Sequence, residues 1–143
     1  MTENLTLVVN NSSNIARDRV EACSAQTVST RGLVQQIVQA CEEVKGQETT
    51  VLDVQSLSDV AEYLVIVSGK SDRQVQGITN RVVEDLIRLN VKPIAVEGYE
   101  EGQWVLVDYG DIIVHIFYEQ KRALYDIESL WMQAKRLYAR DVA

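Results

Sequence analysis

Three aspartates stand where strand-end carboxylates could do chemistry. Asp53, Asp108 and Asp111 lie in or beside the β-branched stretches "TTVLDV", "QWVLVD" and "DIIVHIFY", and carboxylates so placed can hold a divalent cation for phosphoryl or nucleotidyl transfer. Asp108 and Asp111, however, flank Tyr109-Gly110. Tight turns select Asp, which bonds nearby backbone amides, and Gly, which accepts positive φ, so the turn reading is the stronger one. The stretch "VIVSGKSDRQV" raises a second candidate. A strand running through Ser68, Gly69, Lys70 and Ser71 into a helix start leaves amides free for an anion, with Arg73 close by. The G-x-x-x-x-G-K-[ST] spacing of a P-loop is absent, and an ordinary solvated loop is the preferred account. His115, the only histidine, alternates with Ile113 and Phe117 and has no Ser or Cys beside it in sequence, which suits a sheet residue better than a catalyst. Cys23 and Cys41 are too few for a disulfide framework and lack metal-ligand spacing. No catalytic residue, metal or cofactor is therefore assigned, and no enzyme is expected. The alternative is a nucleotide-dependent transferase using Ser68 through Arg73 for phosphate and the strand carboxylates for metal.

The elements that would position these residues follow from periodicity. "TRGLVQQIVQACEEVKGQ" carries Leu33, Ile37, Cys41 and Val44 at helical spacing with Gly46 as a stop. "TTVLDV" and "YLVIVSG" read as strands, the second buried on both faces. "SDRQVQGITNRVVEDLIRLN" keeps Val75, Ile78, Val82, Leu86 and Leu89 on one side, and Ser71 with Gln74 fits a capping box. Pro93 opens a short strand "PIAVE", and "QWVLVD" and "DIIVHIFY" form a hairpin. "DIESLWMQAKRLYAR" is expected to close the chain as a helix, with Ile127, Leu130, Trp131, Ala134, Leu137 and Tyr138 on one side. The expected class is α+β, a single mixed sheet of about five strands with helices packed on it.

With 143 residues, 46% hydrophobic and 24% charged, the chain fits one compact domain. Residues 1–29, rich in Asn, Ser and Thr, are expected to be a flexible N-terminal tail, with an edge strand at "LTLVV" as the alternative, and residues 30–140 the folded domain. No apolar run is long enough for a membrane span and no signal peptide is recognisable, which places the protein in the cytoplasm. The formal net charge of −7 argues for little direct nucleic-acid binding. Glu97, Glu100, Glu101, Asp108 and Asp111 fall within fifteen positions that hold no Lys or Arg, interleaved with Tyr99, Trp104 and Tyr109. Aromatics ringed by one sign of charge suit a docking surface for a basic partner.

"LDVQSLSDVAEYLVIVSGKSDRQVQGI", "VKPIAVEGYEEGQWVLVDYGDIIVHIF" and "RALYDIESLW" together closely resemble the ribosomal silencing factor, or Iojap/YbeB-like, family, from about Leu33 to Trp131. The resemblance implies a nucleotidyltransferase-like fold used without its chemistry. It implies binding to the large ribosomal subunit through its universal protein number fourteen, a steric block to joining with the small subunit, repression of translation, and a homodimer when free. The docking residues it implies are Trp104 and Tyr109, with Glu97, Gly98, Asp108 and Asp111 around them. A role in large-subunit maturation is a further reading of the same contact.

Overall fold

The computed structural model describes residues 28–137. The expectations of an N-terminal tail and of an edge strand at "LTLVV" lie outside the described residues, as does Tyr138.

Helix α1 (Thr30–Glu43) starts where the Ser29 hydroxyl accepts the Gly32 amide at 3.0 Å, the usual N-cap bond. It ends with Lys45 at φ 66°, while the Gly46 amide returns to the Cys41 carbonyl at 2.8 Å. Gly46 is needed for space: a Cβ there would stand 2.7 Å from a Val67 methyl. Helix α2 (Asp72–Ile87) has the expected cap, with Ser71 Oγ accepting the Gln74 amide at 3.0 Å and Gln74 Oε1 accepting the Lys70 amide at 2.7 Å. The Gln74 side chain also donates to the Lys45 carbonyl at 3.1 Å, tying the end of α1 to the start of α2.

Strands β1 (Gln47–Asp53), β2 (Tyr63–Gly69), β3 (Ala95–Glu97), β4 (Trp104–Asp108), β5 (Ile112–Tyr118) and β6 (Lys135–Leu137) form one sheet in the order β3-β4-β5-β2-β1-β6. Among the described residues only β2 and β5 pair in parallel; the other pairings are antiparallel. The pleat divides the sheet between two cores. On one side Val65, Val67, Val105, Val107, Val114 and Ile116 pack under α1 and α2 with Ile37, Cys41, Val75, Ile78, Val82 and Leu86. Leu52, Leu64, Ile66 and Phe117 form the second core on the other side, covered in part by Ile127, Trp131 and Ala134. Strands apolar at both parities are explained by this double burial.

The end of the chain departs from the sequence expectation. Helix α3 (Glu119–Tyr125) stops at Asp126, φ 46°; a single turn α4 (Ile127–Leu130) follows, and the chain then returns as β6. The helical stripe is not buried as one: Ile127 is 8% exposed but Leu130 is 77% exposed. Leu137 pairs with Val51 and is buried in the α1/α2 core, giving β1 a second neighbour that local periodicity cannot signal. The described sheet thus has six strands rather than about five.

Candidate functional site

Trp104 opens β4 on the face that α1 and α2 leave bare. Trp104, Leu106 and Asp108 share this face, while Val105 and Val107 point to the opposite core. Register sets Trp104 opposite Phe117, Leu106 opposite His115, and Glu97 opposite Leu106. The Trp104 ring stacks on Phe117 with centroids 5.1 Å apart and lies 4.7 Å from the Tyr125 ring. Its indole Nε1–H donates to His115 Nδ1 at 3.1 Å, which fixes the proton of the neutral imidazole on Nε2. Burial pulls His115 down to about 4, so it is uncharged at neutral pH and serves as an acceptor. Leu106 and Ile113 are partly exposed on the same sheet face as Trp104, and Tyr125 is half exposed. The result is an aromatic and aliphatic shelf, with the exposed Glu97 opposite Leu106 at its edge.

The loop leading into β4 is anchored from behind. Gln76 on α2 donates to the carbonyls of Tyr99 and Glu100 at 2.9 and 3.2 Å, and Asn80 to the Tyr99 hydroxyl at 2.9 Å. Gly98 has φ 81°, and a Cβ on it would lie 2.1 Å from the Trp104 carbonyl oxygen. Gly98 therefore seats the backbone of Trp104.

Tyr109 is not brought together with Trp104. It packs against the α1/α2 core, its hydroxyl is buried without a hydrogen-bond partner, and burial pushes its ionisation well up. Asp108 Oδ1 accepts the Gly110 amide at 2.7 Å, as a turn aspartate does. Asp111 is exposed, while its carbonyl accepts the amides of Glu62 and Tyr63 at 2.8 and 3.0 Å. Asp53 Oδ1 accepts the Gln55 amide at 3.1 Å. Among the described residues no group of three or more His, Cys, Asp or Glu is placed to hold a metal ion.

The stretch from Ser68 to Arg73 is similarly committed within the chain. The Lys70 and Gln74 amides are taken by the cap of α2, and Ser68 Oγ accepts from Arg122 at 3.0 Å. A cavity of about 650 Å³ does open at the carboxyl ends of the parallel strands, lined by Ser68, Lys70, Glu119, Gln120, Arg122 and Glu128. Such a crevice is where ligands of parallel sheets sit. Here Arg122 is 8% exposed and its donors are spent on Glu48 O (2.8 Å), Ser68 Oγ, Thr50 Oγ1 (3.0 Å) and both Glu128 oxygens (3.1 and 3.0 Å). Its floor holds the fold together rather than offering a phosphate grip. Sequence reasoning missed Arg122, since a lone Arg six positions before a Glu has no helical or strand signature.

The profile of a family described as "Ribosomal silencing factor during starvation" matches residues 27–143. The chain belongs to the ribosomal silencing factor family. The ribosomal silencing factor RsfS of Bacillus subtilis is 37% identical over 95 residues, covering 66% of this chain and 80% of its own length. A crystal structure of a protein from Chromobacterium violaceum superposes with a TM-score of 0.72 at 35% identity, covering 73% of this chain and 87% of that one. A more distant relative is mouse "Mitochondrial assembly of ribosomal large subunit protein 1", 22% identical, covering 79% of this chain and 51% of its own length. Those relatives are named as silencing or assembly factors, not as enzymes. Within the family, the mixed sheet and its helices are the shared scaffold. No helix among the described residues is long and apolar enough to cross a membrane.

Proposed function

We propose that the chain docks on the large ribosomal subunit, through its universal protein number fourteen, and sterically blocks joining with the small subunit, so repressing translation in the cytoplasm. The observation that carries this reading is the Trp104 shelf. A large aromatic is held rigid by Phe117, Tyr125 and His115 on the sheet face opposite α1 and α2, beside acidic groups suited to a basic ribosomal protein. Family membership names the ribosome as the target. In this proposal Trp104 is the anchor, Glu97 and Asp111 steer, Asp108 and Gly98 shape the backbone, and Tyr109 supports the hairpin from the opposite face. No covalent step is involved. The free chain pairs as a homodimer.

Co-sedimentation of the purified chain with isolated large subunits, and its failure to pellet with joined ribosomes, is the expected result. Pelleting with both alike would sink the steric mechanism. The name of the mouse relative favours a second reading, assistance to large-subunit maturation. Depleting the protein separates the two: precursor particles would accumulate on gradients under the second reading, and finished but unrestrained subunits under the first.

A further inference from the structure

Of the rings set against Trp104 among the described residues, His115 and Phe117 belong to β5 and only Tyr125 comes from outside the sheet. Its centroid lies 4.7 Å from the indole and 6.5 Å from Phe117. The place of Tyr125 is set by α3, a helix of seven residues. So short a helix holds its shape and angle through tertiary contacts rather than through its own propensity. Yet α3 brings no apolar residue to either core, and its one buried residue is Arg122, 8% exposed. Ala123, Leu124 and Tyr125 are all exposed.

Arg122 fixes the rotation of the helix as well as its place. A guanidinium carries five N–H donors in one plane, and here each has an acceptor. Nε and Nη2 fork to the two oxygens of Glu128 at 3.1 and 3.0 Å, and Nη2 also reaches Thr50 Oγ1 at 3.0 Å. Nη1 reaches Ser68 Oγ at 3.0 Å and the Glu48 carbonyl at 2.8 Å. A planar group bound on every side cannot turn about the helix axis without breaking several of these bonds at once. The helix ends directly after Tyr125, where the Asp126 amide donates to the Arg122 carbonyl at 2.9 Å with Asp126 at φ 46°. Arg122 and Tyr125 stand three positions apart, which on a helix makes them neighbours on one side. The rotation that seats the guanidinium against β1 and β2 is therefore the rotation that lays the Tyr125 ring on Trp104.

We propose that Arg122 is the positioning residue of the Trp104 face, holding α3 at the rotation that keeps Tyr125 against the indole. For docking this role rests on the proposed function; the ring geometry can be read without a ribosome. With W131F in the full chain, Trp104 is the one tryptophan left, and acrylamide quenching of its fluorescence reports how far the Tyr125 ring shields it. R122K keeps the charge but not the fork, and should raise the quenching constant about two-fold. Y125A should raise it as much, and the two together no further, since both remove the same shield. E128Q, in which Thr50, Ser68 and Glu48 still hold the guanidinium, should move it in the same direction by less, and reads the same point should R122K not fold. A merely structural Arg122 would lower the melting temperature and leave the quenching of the folded protein unchanged; that result overturns the proposal, as does additivity in the double variant. Isolated large subunits should bind R122K and Y125A about three-fold more weakly than W131F alone, again without addition. Raised quenching with unchanged affinity overturns the role in docking, whereas no binding by any chain, W131F included, counts against the docking function instead.

Discussion

The indole N–H of Trp104 is donated to Nδ1 of His115 at 3.1 Å, across the antiparallel pair β4 and β5. This one bond joins the partly buried anchor to a buried base and makes the orientation of the anchor depend on the base staying uncharged. Burial lowers His115 from 6.5 to about 4. The unfolded chain therefore takes up a proton before the folded one does, and the stability contributed by His115 is present above about pH 6.5 and is lost as pH falls toward 4. The loss amounts to at most about 3 kcal/mol. Urea titrations at intervals between pH 7 and 4 check it: H115Q should flatten the dependence, and an unchanged slope in that variant would assign the effect elsewhere.

Trp104→Ala should weaken large-subunit binding by about 2 kcal/mol, roughly thirty-fold, as for a well-packed aromatic anchor. The melting temperature should fall less than for a fully buried aromatic, because Trp104 is only partly buried. Undiminished co-sedimentation of a folded W104A chain would remove this residue from the interface.

Tyr109→Phe distinguishes the two aromatics of the hairpin. The hydroxyl is buried with no partner, so deleting it relieves a desolvation cost and should leave stability unchanged or raise it by about 1 kcal/mol. Subunit binding should not change. A drop in binding with intact stability would put Tyr109 back on the docking surface.

Arg122→Met should cost about 3 kcal/mol, because Glu128 is left as a poorly exposed charge and Ser68 and Thr50 lose their donor. Arg122→Lys should recover only part of this, since an ammonium cannot fork to both Glu128 oxygens while reaching β1 and β2. Thermal denaturation reads both; a lysine variant as stable as the wild type would show that charge alone suffices.

Gly98→Ala places a methyl 2.1 Å from the Trp104 carbonyl oxygen at φ 81°. The loop must move, at a cost of at least about 2 kcal/mol, and binding should fall with it because the start of β4 shifts. Wild-type melting and binding together would contradict the close approach.

Where the sequence spoke clearly, local and tertiary preferences agreed. Helix α2 was legible because Ser71 and Gln74 cap it and its stripe faces a core that accepts it. The turn role of Asp108 and the burial of His115 in the sheet followed from turn chemistry and from alternation on a strand. Grouping Trp104 with Tyr109 failed on parity: five positions apart on a strand and its turn, they fall on opposite faces, and shared acidity does not override the pleat. The expected last helix failed because Leu137 is claimed by Val51, far away in sequence. Arg122 was invisible for the same reason, its partners on β1 and β2 lying 54 to 75 residues earlier.

The pairing of Val51 with Leu137 also sets an order of events during synthesis. Strand β1 is made more than eighty residues before β6, so on the growing chain β1 has β2 on one flank and bare backbone amides and carbonyls on the other. The sheet cannot close that flank until residues 135–137 have been translated, and chains cut short before residue 135 would present a sticky edge for mispairing.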